Sequence, residues 1–506
     1  MSRARRYAKF VGVMVGQSTV QRLANVFTNM VLARALDVTG FGIYNVVATT
    51  AFSAYGMLRL GSESALLVQT AALARNGDTQ SRGDLGDLIG AGLLLLLLAG
   101  AAGLAICVAF ADAIAAQIFG DPSLAVWVRI GGVSTLLMCL SQFCSATLAG
   151  FERFADYAKV VVAMAIVQAA LATVGGLFFG LAGAVIALLA VQTTTVLALA
   201  AALRRALRAD GVHMAFRNLW RRTRELLVFG IPFQAAATVW IPVSYYVQGV
   251  LARHAGIEAL GYLRAIISVT TLVTFVPSSL ATTVAVMLSS ATQPAQFASD
   301  ATRTIKLVAL FALLIAPIVI MTLPWLIPIL FGSAYSNIAA ATGIALTGSV
   351  LASLSQAVEV TMLSAKLPSV VLGLTVVRGL ALLALGPVLI ARYGLAGYLL
   401  ADLAGHLLLL IAAYGCSYRW LQQHVTARPW IMKASAPWLL LLAYSASLVA
   451  QLDTRSVVGL MFGATVTAAI WIWVFRTVLD HEERQAVFRL VQIRTFRDVV
   501  TPVVTD

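Results

Sequence analysis

Apolar residues in this chain gather into long unbroken runs, and polar residues mark the gaps between them. A run of roughly 20 apolar residues is what a helix needs to cross a bilayer. Fourteen runs approach that length, with edges near 11–32, 41–62, 85–110, 126–149, 160–181, 183–203, 226–251, 261–288, 306–330, 339–364, 368–391, 394–416, 435–452 and 457–475. Strand-like alternation between long polar loops is absent, which argues against a β-barrel. The pattern predicts an all-α polytopic membrane protein of about 14 transmembrane helices. Most gaps are short; the longest outer one, near 111–125, is about fifteen residues. No extramembrane domain is expected to do chemistry in water.

The pattern also repeats. Val31-Leu32-Ala33-Arg34 returns as Val250-Leu251-Ala252-Arg253, and Gly42 as Gly261, both 219 positions later (250 minus 31). Leu140-Ser141-Gln142 returns as Leu354-Ser355-Gln356, Thr147 as Thr361, and Gly180-Leu181-Ala182-Gly183 as Gly394-Leu395-Ala396-Gly397, all at an offset of 214. Phe119-Gly120 returns as Phe331-Gly332 at an offset of 212. Matches in order at near-constant spacing indicate a duplicated unit of about 200 residues. Two like bundles with a cleft between them is a common transporter plan. The expected division is an N-lobe of six spans over 1–208, a basic linker over 209–224 and a C-lobe of six spans over 225–418. Two unpaired spans within 435–475 and a tail over 476–506 complete it.

Composition agrees with a membrane chain: 60% of residues are apolar and 11% charged, with a mean hydropathy of +0.91. Soluble domains sit near 45–50% and about 25%. Lys and Arg set orientation by concentrating on the cytoplasmic side. With the N-terminus inside, outer segments hold only Arg34, Arg253, Arg392 and Arg455, and Arg22, Arg59, Arg129, Arg264 and Arg378 lie in or at the edges of spans. That leaves 26 of the 35 basic residues on the inner side. Both termini are therefore expected in the cytoplasm. The linker region 204–224 alone carries seven arginines. The net charge of +14 reads mainly as attachment to an anionic inner leaflet, since it is spread over every inner loop; nucleic acid is not an expected partner. The N-terminus, with Arg3, Arg5, Arg6 and Lys9 ahead of a span, looks like a signal sequence, but the span is long and polar and is read as a retained helix. Cys107, Cys139, Cys144 and Cys416 form no CxxC pair, so neither disulfide nor metal is expected. In the tail, Val487, Phe488, Leu490, Val491 and Phe496 fit either an interfacial helix or a solvated segment. Pro232 and Pro242 in span 7, and Pro317, Pro324 and Pro328 in span 9, predict bends that serve either motion or packing.

Charges inside spans are the candidate chemistry, because a central Arg costs at least about 2.5 kcal/mol to insert. Arg22 lies mid-span. Ser18, Arg22, Asn25 and Asn29 follow helical spacing and share one face, widened by Gln17, Gln21 and Thr28. Such a face must meet protein or water. It is either the anion-binding wall of a central cavity or a polar seam, and the guanidinium favours the cavity. Span 7 has a similar face of Gln234, Thr238, Tyr245 and Gln248, with Gln248 at the repeat position of Asn29 and no counterpart of Arg22. Arg264 stands at the repeat position of Asn45, within reach of the cavity or of outer headgroups. Arg59 and Glu63, four apart, form either an ion pair or a loading site for an anionic headgroup. Glu359, Arg378, Asp402 and His406 form a second group, either coupling transport to an ion or neutralising one another.

Several of these segments resemble a known family. Leu32-Ala33-Arg34-Ala35-Leu36-Asp37-Val38-Thr39-Gly40-Phe41-Gly42-Ile43-Tyr44 is similar to the first periplasmic turn of bacterial polysaccharide exporters. Leu148-Ala149-Gly150-Phe151-Glu152-Arg153 is similar to the inner end of their fourth span. The resemblance covers nearly the whole chain and points to the O-antigen repeat-unit flippases of the Wzx type. These belong to the superfamily that also holds multidrug extruders and the lipid II flippase. It implies transfer of undecaprenyl-diphosphate-linked oligosaccharides across the bacterial inner membrane, with a polysaccharide polymerase and a chain-length regulator as further partners. Compared with the lipid II flippase, Gln21-Arg22-Leu23-Ala24-Asn25-Val26-Phe27-Thr28-Asn29 keeps one of two first-helix arginines, and Arg59 and Glu63 keep its second-helix pair. A less cationic cavity follows, which disfavours lipid II as cargo and leaves a lipid II flippase as the alternative within this resemblance.

The expected substrate-binding residues are thus Arg22, Asn25, Asn29, Arg59, Arg264 and Gln248, with lipid-linked glycan and bilayer lipids as partners and no cofactor. A drug or cation antiporter is the competitor within transport, favoured by acidic cavity residues. A membrane glycan polymerase or glycosyltransferase would need a long outer loop or an Asp-x-Asp motif, and neither occurs. No Gly-x-x-x-x-Gly-Lys run is present to bind ATP.

Overall fold

The computed structural model describes residues 3–76, 79–289, 294–365 and 367–424 of the chain. Among them there is no strand, and the protein is an all-α polytopic membrane protein. The first lobe consists of α1 (Arg3–Ala35), α2 (Val38–Leu58), α3 (Ser62–Asn76), α4 (Thr79–Ala109), the one-turn α5 (Ala111–Ala113), α6 (Ala125–Gly150) and α7 (Phe154–Ala209). The second consists of α8 (Leu219–Ala255), α9 (Ile257–Ser289), α10 (Pro294–Phe331), α11 (Ala339–Ser364) and α12 (Pro368–His424). Expected spans 1 to 12 all fall on these helices. Expected spans 435–452 and 457–475, and the tail residues Val487, Phe488, Leu490, Val491 and Phe496, lie outside the described residues. Seven helices among the described residues are long and apolar enough to cross a membrane. α1 is not one of them, because Ser18, Arg22, Asn25 and Asn29 lower its apolarity.

The duplication is visible in how helices pack. In the first lobe α1 and α6 pack on α7, and α2 and α4 pack on α6; in the second, α8 and α11 pack on α12, and α9 and α10 pack on α11. Spans 5 and 6 are two legs of α7, folded at Gly180 (φ +58°, ψ −143°), and spans 11 and 12 are two legs of α12, folded at Gly394 (φ +55°, ψ −127°). Only glycine enters that region at little cost. Three residues on, a Cβ at Gly183 would collide with the Gly175 carbonyl and a Cβ at Gly397 with the Leu389 carbonyl. Those carbonyls are themselves 214 positions apart (389 minus 175). The repeated Gly-Leu-Ala-Gly thus makes the same fold twice, one glycine turning the chain and the other letting its legs close.

Span 2 differs from its expected range of 41–62. The helix breaks at Leu60 (φ +49°) and Gly61 (φ +70°) and resumes as α3. Hydropathy does not sense this break. At the break α8 comes close, its Gly230 carbonyl lying where a Cβ on Gly61 would stand, so that position admits only glycine.

The two ends of the bundle are unlike. At the end bearing Arg34, one continuous apolar core runs through both lobes, including Leu32, Phe41, Val128, Val247, Ile266, Phe331 and Leu351. At the opposite end, where the linker lies, the core among the described residues falls into separate clusters. Leu66, Leu88, Phe143 and Leu199 of the first lobe form one cluster, joined by Leu226 of α8, and Val358, Met362, Leu374 and Leu409 form another in the second. Removal from lipid gives little hydrophobic gain, so close backbone packing through small residues is what holds such helices together.

The linker is pinned to α4. The Ala215 amide donates to the Gly86 carbonyl (3.1 Å), the Arg217 amide to Asp87 Oδ1 (3.1 Å) and Asn218 Nδ2 to Asp87 Oδ2 (2.9 Å). Arg222 is buried, paired with Asp84 and with Glu225, the latter at 2.8 Å. This arginine is part of the protein's packing rather than a contact with the leaflet. Burial works to lower the Arg222 pKa, but hydrogen bonds to Glu225 and Asp84 outweigh it and the value is raised. Burial likewise opposes ionisation of Glu225, yet hydrogen bonds from Arg222 and Arg221 hold its carboxyl below the usual value.

Candidate functional site

The polar face of α1 reaches the second lobe at Asn29. Its Nδ2 donates to Ser268 Oγ of α9 at 3.0 Å, and its Oδ1 accepts from Arg264 Nε at 3.4 Å; Ser268 in turn donates to the Arg264 carbonyl at 2.9 Å. Asn29 is buried and Arg264 half-buried. A guanidinium carries five donors. Among the described residues Arg264 commits only Nε to a side chain, so most of its fork remains for a ligand. Arg22 stands two helical turns from Asn29 on the same face, about 10 Å along the axis at 1.5 Å per residue. It is half-buried, as is Ser18, while Asn25 and Gln21 are exposed and Gln17 and Thr28 are buried. The stripe is therefore packed at its edge and open along part of its length.

The repeat counterparts behave differently. Asn45, at the repeat position of Arg264, donates to the Leu260 carbonyl across the lobes (3.3 Å). Gln248, at the repeat position of Asn29, donates to Ser244 Oγ on its own helix (3.2 Å) and does not join the Asn29–Arg264 contact. Tyr245 reaches Thr50 of α2 with its hydroxyl (2.9 Å), and Gln234 is buried.

Arg59 caps α2 and pairs with Glu63, donates to the Tyr55 hydroxyl (3.2 Å) and lies 5.0 Å from the Tyr55 ring centroid. Tyr55 packs with Ala99 and Cys139, so this pair sits within the first lobe rather than beside Arg264. Arg59 Nε and Glu63 Oε2 are buried without a partner among the described residues.

The second lobe assembles all four residues grouped from the sequence. Arg378 and Asp402, on opposite legs of α12, meet across the Gly394 fold, with Nη2 donating to Oδ1 at 3.0 Å. His406 Nε2 stands 3.8 Å from the other Asp402 oxygen. The Arg378 guanidinium lies 3.5 Å above the ring of Trp240 on α8. Glu359 of α11 faces the same place, lining with Trp240, Thr375 and Arg378 a recess of about 290 Å³. Among the described residues no three His, Cys, Asp or Glu side chains are grouped to hold a metal. Sequence reasoning missed Trp240, Ser268 and Tyr55. Trp240 carries no distinguishing signal among apolar neighbours, and Ser268 could have been found only by pairing α1 with α9.

Solved structures share this fold. A multidrug resistance MATE family transporter of the MOP superfamily, inward-facing, is 14% identical over 81% of this chain and 98% of its own, with a TM-score of 0.63. The lipid II flippase MurJ, in an inward closed conformation, is 11% identical over 92% and 99%, with a TM-score of 0.70. A MOP superfamily transporter from Pyrococcus furiosus is 16% identical over 82% and 95%, with a TM-score of 0.60. Among curated proteins there is no match. The profile of one sequence family spans residues 8–293, more than half of the chain. With that match and a twinned helical architecture shared with MOP superfamily transporters, the chain belongs to the polysaccharide biosynthesis protein family.

Proposed function

We propose that the protein is a flippase that moves undecaprenyl-diphosphate-linked oligosaccharide repeat units from the cytoplasmic to the periplasmic leaflet for surface polysaccharide assembly. The observation that carries this reading is Arg264 held by Asn29 at the boundary between lobes, with most of its fork uncommitted. Arg suits a phosphate because its fork gives two parallel charge-assisted bonds. Arg22, two turns along α1, offers a second cation, with Asn25 and Gln248 as polar lining, and Arg59 a third cation near the linker end. The lobes rock about the cavity, the glycan crosses in the polar space, and the lipid tail stays in the bilayer. An inside-negative potential of 100 mV gives about 2.3 kcal/mol per charge, roughly 4–5 for two, so export of a diphosphate needs no ATP.

The recess in the second lobe supports ion coupling at Glu359. Asp402 is already paired with Arg378, whereas Glu359 has no hydrogen-bonding partner among the described residues. The same acidic group favours a second reading, a multidrug or cation antiporter. In the flippase reading the protein lies in the bacterial inner membrane with both termini in the cytoplasm, beside a polymerase and a chain-length regulator. The test is replacement of Arg22 and of Arg264 by Ala, with lipid-linked glycan measured in each leaflet. Both variants are expected to retain glycan on the inner leaflet; normal periplasmic delivery from well-expressed protein would overturn the assignment.

A further inference from the structure

At the Arg34 end, one set of contacts between lobes follows the repeat itself. Thr39 Oγ1 donates to Glu258 Oε1 at 3.2 Å. These two residues are 219 positions apart (258 minus 39), so each meets its own counterpart. That happens only on an axis relating the two copies. Around this axis one pair of close backbone approaches is exchanged between the lobes. A Cβ on Gly42 would strike the Ile257 carbonyl, and a Cβ on Gly261 would strike the Val38 carbonyl. Gly42 and Gly261 are counterparts at offset 219, and so are Val38 and Ile257 (257 minus 38).

The two Leu-Ala-Arg arginines cross in the same exchanged fashion. Arg34, ending α1, donates Nε to the Leu330 carbonyl (3.1 Å) and Nη2 to the Ile329 carbonyl, both in the last turn of α10. Its stem lies beside Gly332. Arg253, near the end of α8, lies with Cγ 2.7 Å from where a Cβ on Gly120 would stand, its guanidinium 5.9 Å from the Tyr246 ring. Gly120 (φ +78°) and Gly332 (φ +99°) each follow a helical segment at a positive φ. The Arg34 guanidinium thus meets the negative pole at the end of α10. The pair is unequal, since only Arg34 bonds carbonyls across the lobes.

We propose that the duplicated segments from Arg34 to Gly42 and from Arg253 to Gly261 form a two-fold clasp that holds this end shut, with Arg34 as its main bolt. Arg34, Arg253 and Glu258 are exposed to exchange with water. The covalent connection between the lobes, residues 210–218, lies at the opposite end and is pinned to α4. Parting the clasp therefore breaks no backbone, and the pinned linker is the natural pivot. The clasp rests on the rocking motion of the proposed function, but its test uses no glycan, so the two fail separately.

The experiment uses full-length protein in native-membrane vesicles with Cys416→Ser. A reporter, Thr49→Cys, sits on α2 behind the clasp and is read by a membrane-impermeant maleimide. R34A is expected to raise the labelling rate about tenfold, which corresponds to about 1.4 kcal/mol, and G261A to raise it as well. D112N, an exposed carboxylate outside the clasp, is expected to leave it unchanged. Thr39→Cys with Glu258→Cys is expected to cross-link on oxidation, to suppress labelling, and to recover on reduction. Failure of the pair to cross-link, labelling unaffected by the cross-link, or R34A matching D112N overturns the proposal. Arg34 is exposed, so its variant reports even where G261A does not fold.

Discussion

Arg264 of one lobe donates to Asn29 of the other at 3.4 Å, long for an N–H···O bond and therefore easily exchanged for a ligand oxygen. A lysine at 264 keeps the charge but loses the fork. R264K is expected to lower the initial rate of lipid-linked glycan transfer at least about tenfold, a loss of roughly 1.4 kcal/mol. N29A is expected to lower it less, since it frees the guanidinium without removing it. An R264K rate equal to the parent's would show that a point charge suffices.

Arg378 and Asp402 form a partly buried pair, 20% and 31% exposed. Removing one partner of a fully buried pair costs about 3–5 kcal/mol. Allowing for the exposure, D402N is expected to destabilise by about 1–3 kcal/mol, read as a lower unfolding temperature in detergent. D402N with R378Q is expected to recover part of that loss. A double variant less stable than D402N alone would mean that Arg378 is held mainly by Trp240.

The two glycines of each repeated Gly-Leu-Ala-Gly predict a contrast. A Cβ on Gly180 meets nothing within 4 Å, so G180A carries only backbone strain, about 1–3 kcal/mol. A Cβ on Gly183 meets the Gly175 carbonyl, so G183A is expected to be less stable than G180A and to accumulate less in the membrane. Equal behaviour of the two would mean that the legs of α7 can move apart.

Stability of the linker contact should depend on acid. The Glu225 pKa is lowered in the folded protein, so its contribution is present above the unfolded value of about 4.3 and is lost as pH falls through the lower folded value. The parent is expected to be more stable than E225Q at neutral pH, with the two converging as pH falls below about 4. A constant gap from pH 7 to pH 3 would remove Glu225 from the account.

Helices were legible because run length sets a span, and the repeat because its matches recur in order. The span edges near 181–183 and 391–394 were legible too, but that Gly180 and Gly394 make the folds there appears only in their backbone angles. The break at Leu60–Gly61 was not legible, because it lies inside an apolar run and the close neighbour of Gly61, Gly230, is on another helix far along the chain. Among the linker arginines nothing distinguished Arg222, which is buried against Asp84, from its solvated neighbours.

The same division holds for the functional residues. By itself the sequence determined that charges stand inside apolar runs, since insertion cost makes each conspicuous. It could not say which would meet. Tertiary structure set Arg264 beside Asn29 and left Gln248 apart, joined Arg378 to Asp402 over Trp240, and enclosed Arg59 with Glu63 in one lobe. Pairing of this kind depends on how helices distant along the chain lie against one another. Periodicity along a single helix carries no record of that.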